Sequence, residues 1–185
     1  MIGSLLTAAG LGLGAGINAY ATLLVFGFAA RWWPDLFHDD LARFFATTPV
    51  LIVVAVLYLV EFAADKVPTV DHVWDVIHTL IRPIAGALIG WAAVSDRIPH
   101  GVVILASIIA GGAALGSHAT KAVLRTASTL TTAGLGNPLL SLIEDFFAFV
   151  NAIVVIVLPW VVIPLLFVMM LLFATFYRRV RRARA

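Results

Sequence analysis

Residues 58–83 read YLVEFAADKVPTVDHVWDVIHTLIRP, and this stretch decides the fold. It carries Glu61, Asp65, Lys66, Asp71, His72, Asp75, His78 and Arg82, yet it is spliced between two apolar runs, PVLIVVAVLYLV before it and PIAGALIGWAAV after it. The twelve residues from Pro49 to Val60 rise about 18 Å as a helix, short of the roughly 30 Å hydrocarbon thickness of a bilayer. A span beginning near Pro49 therefore takes Glu61 into the membrane, with Asp65 and Lys66 near its far edge. The following span has the converse feature. Too few apolar residues separate Pro83 from Asp96, so that helix must start by Val73 and carry Asp75, His78 and Arg82 with it.

The rest of the chain suits this reading. It has 185 residues, of which 62% are hydrophobic and 12% charged, with no cysteine; the mean hydropathy is +1.06. Soluble domains run near 25% charged, so the sequence predicts an all-α integral membrane protein in a single transmembrane domain. A disulfide framework is excluded. The net charge of +2 comes from the five arginines of residues 178–185; the body is acidic, which argues against a nucleic-acid partner.

About six spanning helices are expected, some broken or short. The first covers residues 2–30, where Gly10, Gly12, Gly14 and Gly16 alternate ahead of Asn18. Four glycines at about 1 kcal/mol each predict a break, a close helix contact, or both. Residues 31–48 form an external interfacial connection with Trp32 and Trp33 at the boundary. A fourth span starts near Gly101 and a fifth at Asn137, after the STLTTAGLGNP break; the last runs from Trp160 to Tyr177. The basic tail is expected in the cytoplasm. Counting back six spans places the N-terminus there too, with nine basic residues inside and three (Arg31, Arg43, Arg97) outside.

Four segments carry polar stripes at helical spacing: Asp71, Asp75, His78 and Arg82; Glu61 and Asp65; His118, Lys121 and Arg125; Asn137, Ser141 and Glu144. An ionisable side chain in the bilayer costs about 2.5–3.5 kcal/mol even on a permissive scale. The stripes are therefore expected to face one another as a polar cluster in the cytoplasmic half. Candidate binding residues are Asn18, Glu61, Asp65, Lys66, Asp71, Asp75, His78, Arg82, His118, Lys121, Arg125, Asn137, Ser141, Glu144 and Asp145. Six acids against four bases leave carboxylates for a proton or cation. Asp71, Asp75, His78 and Glu144 offer oxygen and imidazole donors for a divalent cation. The basic stripe suits a small anion or an anionic lipid headgroup.

No hydrolase, nucleotide or metalloprotease motif occurs. The expected function is a carrier or channel for an ion or small charged substrate. Two alternatives stand beside it: a metal-dependent enzyme acting on lipid headgroups within the membrane, and an assembly subunit whose charges staple helices together. Glycine-rich surfaces permit a homo-oligomer. Four segments, LGAGINAYATLL (13–24), EFAADKVPTVDHVWDVIHTLIRPIAGALI (61–89), SHATKAVLR (117–125) and NPLLSLIEDF (137–146), together resemble the bacterial membrane family catalogued as domain of unknown function 4126. The resemblance covers most of residues 9–150. It implies a small multi-pass protein of the bacterial inner membrane and carries no activity with it.

Overall fold

A computed structural model describes residues 2–66, 68–94, 98–168 and 171, and for residues 68–73 and 75 the backbone alone. The expectations for the side chains of Asp71 and Asp75, for Arg97 and for the basic tail fall outside the described residues. Eight helices and no strand occur among those described: α1 (Ile2–Ile17), α2 (Ala19–Trp32), α3 (Asp40–Phe45), α4 (Thr48–Ala64), α5 (Pro68–Ala92), α6 (His100–Thr132), α7 (Asn137–Val157) and α8 (Pro159–Val168, opening in a 3₁₀ turn). Their ends follow local chemistry. Asp39 caps α3 by accepting from the Leu41 amide at 2.8 Å. Pro49 and Pro138 sit in the first turns of α4 and α7, where no intrahelical donor is lost. Helix α6 stops at Ala133, whose φ of 53° is left-handed, followed by Gly134 at φ 84°.

The break expected in the first span falls at Asn18, beyond the glycines. Residues 2–32 form two helices, not one, and they run antiparallel. The chain passes helically through all four glycines and breaks at Asn18, whose extended backbone (φ −145°, ψ 108°) starts α2. The Asn18 side chain accepts from the Ala21 amide at 2.8 Å, an N-cap in the middle of an apolar run. A Cβ on Gly14 would lie 2.9 Å from Thr22 Oγ1, whereas eight residues of straight helix separate two positions by about 12 Å. The neighbours agree. Along α1, the contacts Gly12–Ala110 and Gly16–Ser117 climb α6 in parallel. Along α2, Gly27 meets Leu51 and Arg31 bonds Thr48, so α2 is antiparallel to α4.

Large apolar side chains coat the outside: Ile52, Val56, Leu80, Ile108, Leu130 and Phe146 are each more than half exposed. The interior is lined with alanine and glycine around buried charges. Glu61, His78 and Arg82 are fully buried. This reverses the usual preference, in which charged residues are almost never fully buried unless paired. Two helices, His100–Thr132 and Asn137–Val157, are long and apolar enough to cross a membrane; α1, α2, α4 and α8 are shorter apolar helices.

Candidate functional site

The charged side chains gather at one end of the bundle, around the tip of the α1–α2 hairpin. Arg82 on α5 occupies the first knot. Its Nη2 donates to Glu61 Oε1 at 2.8 Å, and its Nη1 donates to the Gly16 carbonyl at 3.4 Å and to His118 Nδ1. Arginine has no acceptor, so His118 Nδ1 receives and its proton resides on Nε2. That nitrogen faces Thr79 Oγ1 at 3.1 Å and donates to it. His78 presents Nδ1 to the Trp74 carbonyl at 2.9 Å and Nε2 to Glu61 Oε1 at 3.8 Å.

The second knot joins α4, α6 and α7. Arg125 Nη2 lies 2.7 Å from both Asp65 Oδ2 and Glu144 Oε2, and its Nε donates to Glu144 at 3.1 Å. Lys121 Nζ lies 3.4 Å from the same two carboxylates and 3.1 Å from the Ile17 carbonyl. Ser141 Oγ reaches Asp65 at 3.5 Å. All four charged groups are less than a tenth exposed. Two cations thus meet the carbonyls at the C-terminal end of α1, Arg82 at Gly16 and Lys121 at Ile17, where the helix dipole favours positive charge.

The third contact is a single bond. Asn18 Nδ2 donates to Asp145 Oδ1 at 2.8 Å and ties the hairpin tip to α7.

The structure thus brings together Glu61, Asp65, His78, Arg82, His118, Lys121, Arg125, Ser141 and Glu144, which the stripes place on shared faces, with Asn18 and Asp145, candidates from outside the stripes. It does not bring in Lys66, whose Nζ bonds the Phe62 carbonyl at 2.8 Å and sits over the Phe62 ring. Asn137 is likewise apart, donating to Thr129 Oγ1 at 3.0 Å. Of the four residues suggested for a divalent cation, His78 and Glu144 belong to different knots, and the side chains of Asp71 and Asp75 lie outside the described residues, among which no metal-holding group of three or more ligands occurs. Sequence reasoning missed Ser117, which bonds the Leu13 carbonyl at 2.8 Å, and Asn151, which bonds the Gly10 carbonyl at 2.9 Å. Asn151 was findable, since it continues the Asn137–Ser141–Glu144 stripe by seven residues.

Beside the second knot lies a cavity of about 310 Å³ between α1, α6, α7 and α8. Leu13, Leu124, Ile143 and Phe147 give it an apolar wall, and Lys121 and Glu144 stand at its polar side.

Fold and site together define a helical bundle that is apolar outside and ion-paired inside. The chain belongs to the family described as "Domain of unknown function (DUF4126)", whose pattern matches residues 5–179. No curated protein and no solved structure matches it.

Proposed function

We propose that this protein spans the bacterial inner membrane and works as a carrier or channel for an ion or small charged substrate. The observation that carries the reading is the inversion of the bundle, with fully buried Glu61, His78 and Arg82 inside a coat of exposed isoleucine, leucine and valine. A soluble protein exposing so much apolar surface would aggregate, whereas a bilayer covers it. The hairpin supports transport within that reading. Helices α1 and α2 rise only about 24 and 21 Å and turn at Asn18 among the charges. Interrupted helices whose ends point at a polar site are a recurring device of membrane carriers, and irregular backbone at that depth is tolerated where protein surrounds it.

Orientation follows from the basic residues. Lys66, Lys121 and Arg125 put the charged end on the cytoplasmic side. Because the hairpin returns, Ile2 then lies at the opposite, external face. This replaces the six-span count, in which the N-terminus was cytoplasmic.

The cavity favours a second reading, recognition of a lipid whose acyl chain fills the apolar space and whose headgroup meets Lys121. Reconstituted proteoliposomes test the two together. Under a pH or sodium gradient, the wild type is expected to carry flux that Glu61→Gln and Glu144→Gln reduce at least tenfold while the purified variants stay monodisperse. Full flux in both variants would sink the transport reading.

A further inference from the structure

Among the described residues the buried network holds four carboxylates, Glu61, Asp65, Glu144 and Asp145, against three permanent cations, Arg82, Lys121 and Arg125. One negative charge is left over, and geometry says whose it is. Glu61 is held by Arg82, and Asp65 and Glu144 are held by Lys121 and Arg125. Among the described residues Asp145 has no ion-pair partner. Its one hydrogen bond comes from the neutral amide of Asn18.

The Asn18 amide cannot turn over. Its oxygen is fixed by the Ala21 amide it caps, so Nδ2 must face Asp145. Oδ1 of Asp145 is therefore an obligate acceptor, and whatever neutralises the group acts at Oδ2. That atom is buried without a hydrogen-bond partner in a residue 4% exposed. The paired carboxylates likewise each keep one buried oxygen unpartnered: Glu61 Oε2, Asp65 Oδ1 and Glu144 Oε1. A surplus of buried acceptors calls for a donor or a cation.

We propose that Asp145 is the exchangeable monovalent-cation position of this site, taking a proton or an alkali cation at Oδ2, with Asn18 as the group that positions it. The inference rests on the transport reading and narrows its coupling ion to a monovalent cation. The groups facing Asp145 are Asn18 at the hairpin tip, Tyr58, Glu61 and Asp65 on α4 and its cap, Lys66 beyond it, and Lys121 on α6. None of these charged groups is within ion-pair distance. Neutralising Asp145 at Oδ2 leaves Oδ1 accepting from Asn18 but takes the charge out of that bond, and Asn18 is the hinge of the hairpin, so occupancy and hairpin position are linked.

The test reads binding, not flux. Infrared difference spectra of the purified full-length protein, recorded across a pH titration with and without 100 mM NaCl or KCl, report the C=O stretch of a protonated carboxyl. A band of one carboxyl per chain is expected, absent in Asp145→Asn and kept in Asp40→Asn, which removes an exposed carboxylate outside the buried network. If an alkali cation is the natural occupant, Na⁺ or K⁺ removes the band at constant pH; if the proton is, salt leaves it in place. Asn18→Asp, which keeps the capping oxygen but replaces the donor, is expected to shift the band's titration midpoint, as a merely structural role would not. A wild-type protein with neither a band nor a salt response assignable to Asp145 overturns the proposal. A normal Asp145 signature without flux in liposomes would instead refute the transport reading and leave the cation site standing.

Discussion

Replacing Arg125 by glutamine is the sharpest test of the ionic core. The glutamine keeps much of the side chain's bulk but removes the group that contacts both Asp65 Oδ2 and Glu144 Oε2 at 2.7 Å. Among the described cations, Lys121, 3.4 Å from each, is then left to balance the two carboxylates. With Arg125 4% exposed, Asp65 2% and Glu144 8%, water cannot take over. Removing one partner of a buried pair costs about 3–5 kcal/mol, since an uncompensated charge stays behind. At roughly 2–4 °C per kcal/mol for a chain this size, the melting temperature should fall by about 6–20 °C. Tryptophan fluorescence of the protein in detergent micelles can follow that melt.

A second substitution makes the reasoning refutable. Glu144→Gln in the Arg125→Gln background removes one of the two stranded carboxylates. The double variant should recover part of the loss, with a coupling of about 0.5–3 kcal/mol, the range seen for contacting residues. If Arg125→Gln melts within about 2 °C of wild type, or if the two losses simply add, the cluster is wet and loosely held and the charge count used above fails.

Two further outcomes are expected. A Cβ on Gly12 would run into the Ala110 carbonyl oxygen and stand 2.7 Å from its Cα, all backbone, so Gly12→Ala should lower the melting temperature measurably, while Gly112→Ala, with nothing within 4 Å of its Cβ, should hold or slightly raise it because alanine is the better helix former; equal effects would refute the close α1–α6 approach. Because the chain has no cysteine, single-cysteine labelling with a membrane-impermeant reagent reads topology directly: Gly3→Cys should react from outside intact spheroplasts and Leu135→Cys only after lysis, and reaction of both from one side would restore the even-numbered span count.

The polar stripes were legible because helical spacing fixes which residues share a face. Glu61 and Asp65, His118 to Arg125, and Ser141 with Glu144 needed only the three- and four-residue repeat and the cost of charge among apolar neighbours. Their pairing was not legible. Whether Arg125 meets Asp65 or Glu61 depends on how far each helix is rotated and slid, and that is set by packing contacts far from the charges themselves. The hairpin was hidden for a different reason. Residues 2–30 contain no charge and no proline, and their length suits one tilted span, so the only marks of the turn are Asn18 and the small residues around it. An N-cap residue type inside an apolar run was the available signal, and hydropathy averaging erases it.

The glycines, ambiguous in the sequence, acquire a specific reading from the packing. Spaced by two, they are two interleaved stripes of spacing four. A Cβ on Gly10 or Gly14 would strike Val155, Val162 or Asn151 on α7 and α8, and one on Gly12 or Gly16 would strike Ala110, Ala114 or Ser117 on α6. Residues two apart on a helix lie about 200° around it, so α1 is glycine-faced on opposite sides and slots between α6 and α7. That insertion explains why α6 and α7, adjacent in sequence, touch so little. It also sets the site. With α1 held this tightly, its C-terminal carbonyls must end between Arg82 and Lys121, and Asn18 must come within 2.8 Å of Asp145. A larger residue at any of the four positions would act on the charged cluster from a distance, by withdrawing the hairpin tip. On this argument the glycine stripe and the charged stripes are parts of one device, the first setting the depth at which the second can close.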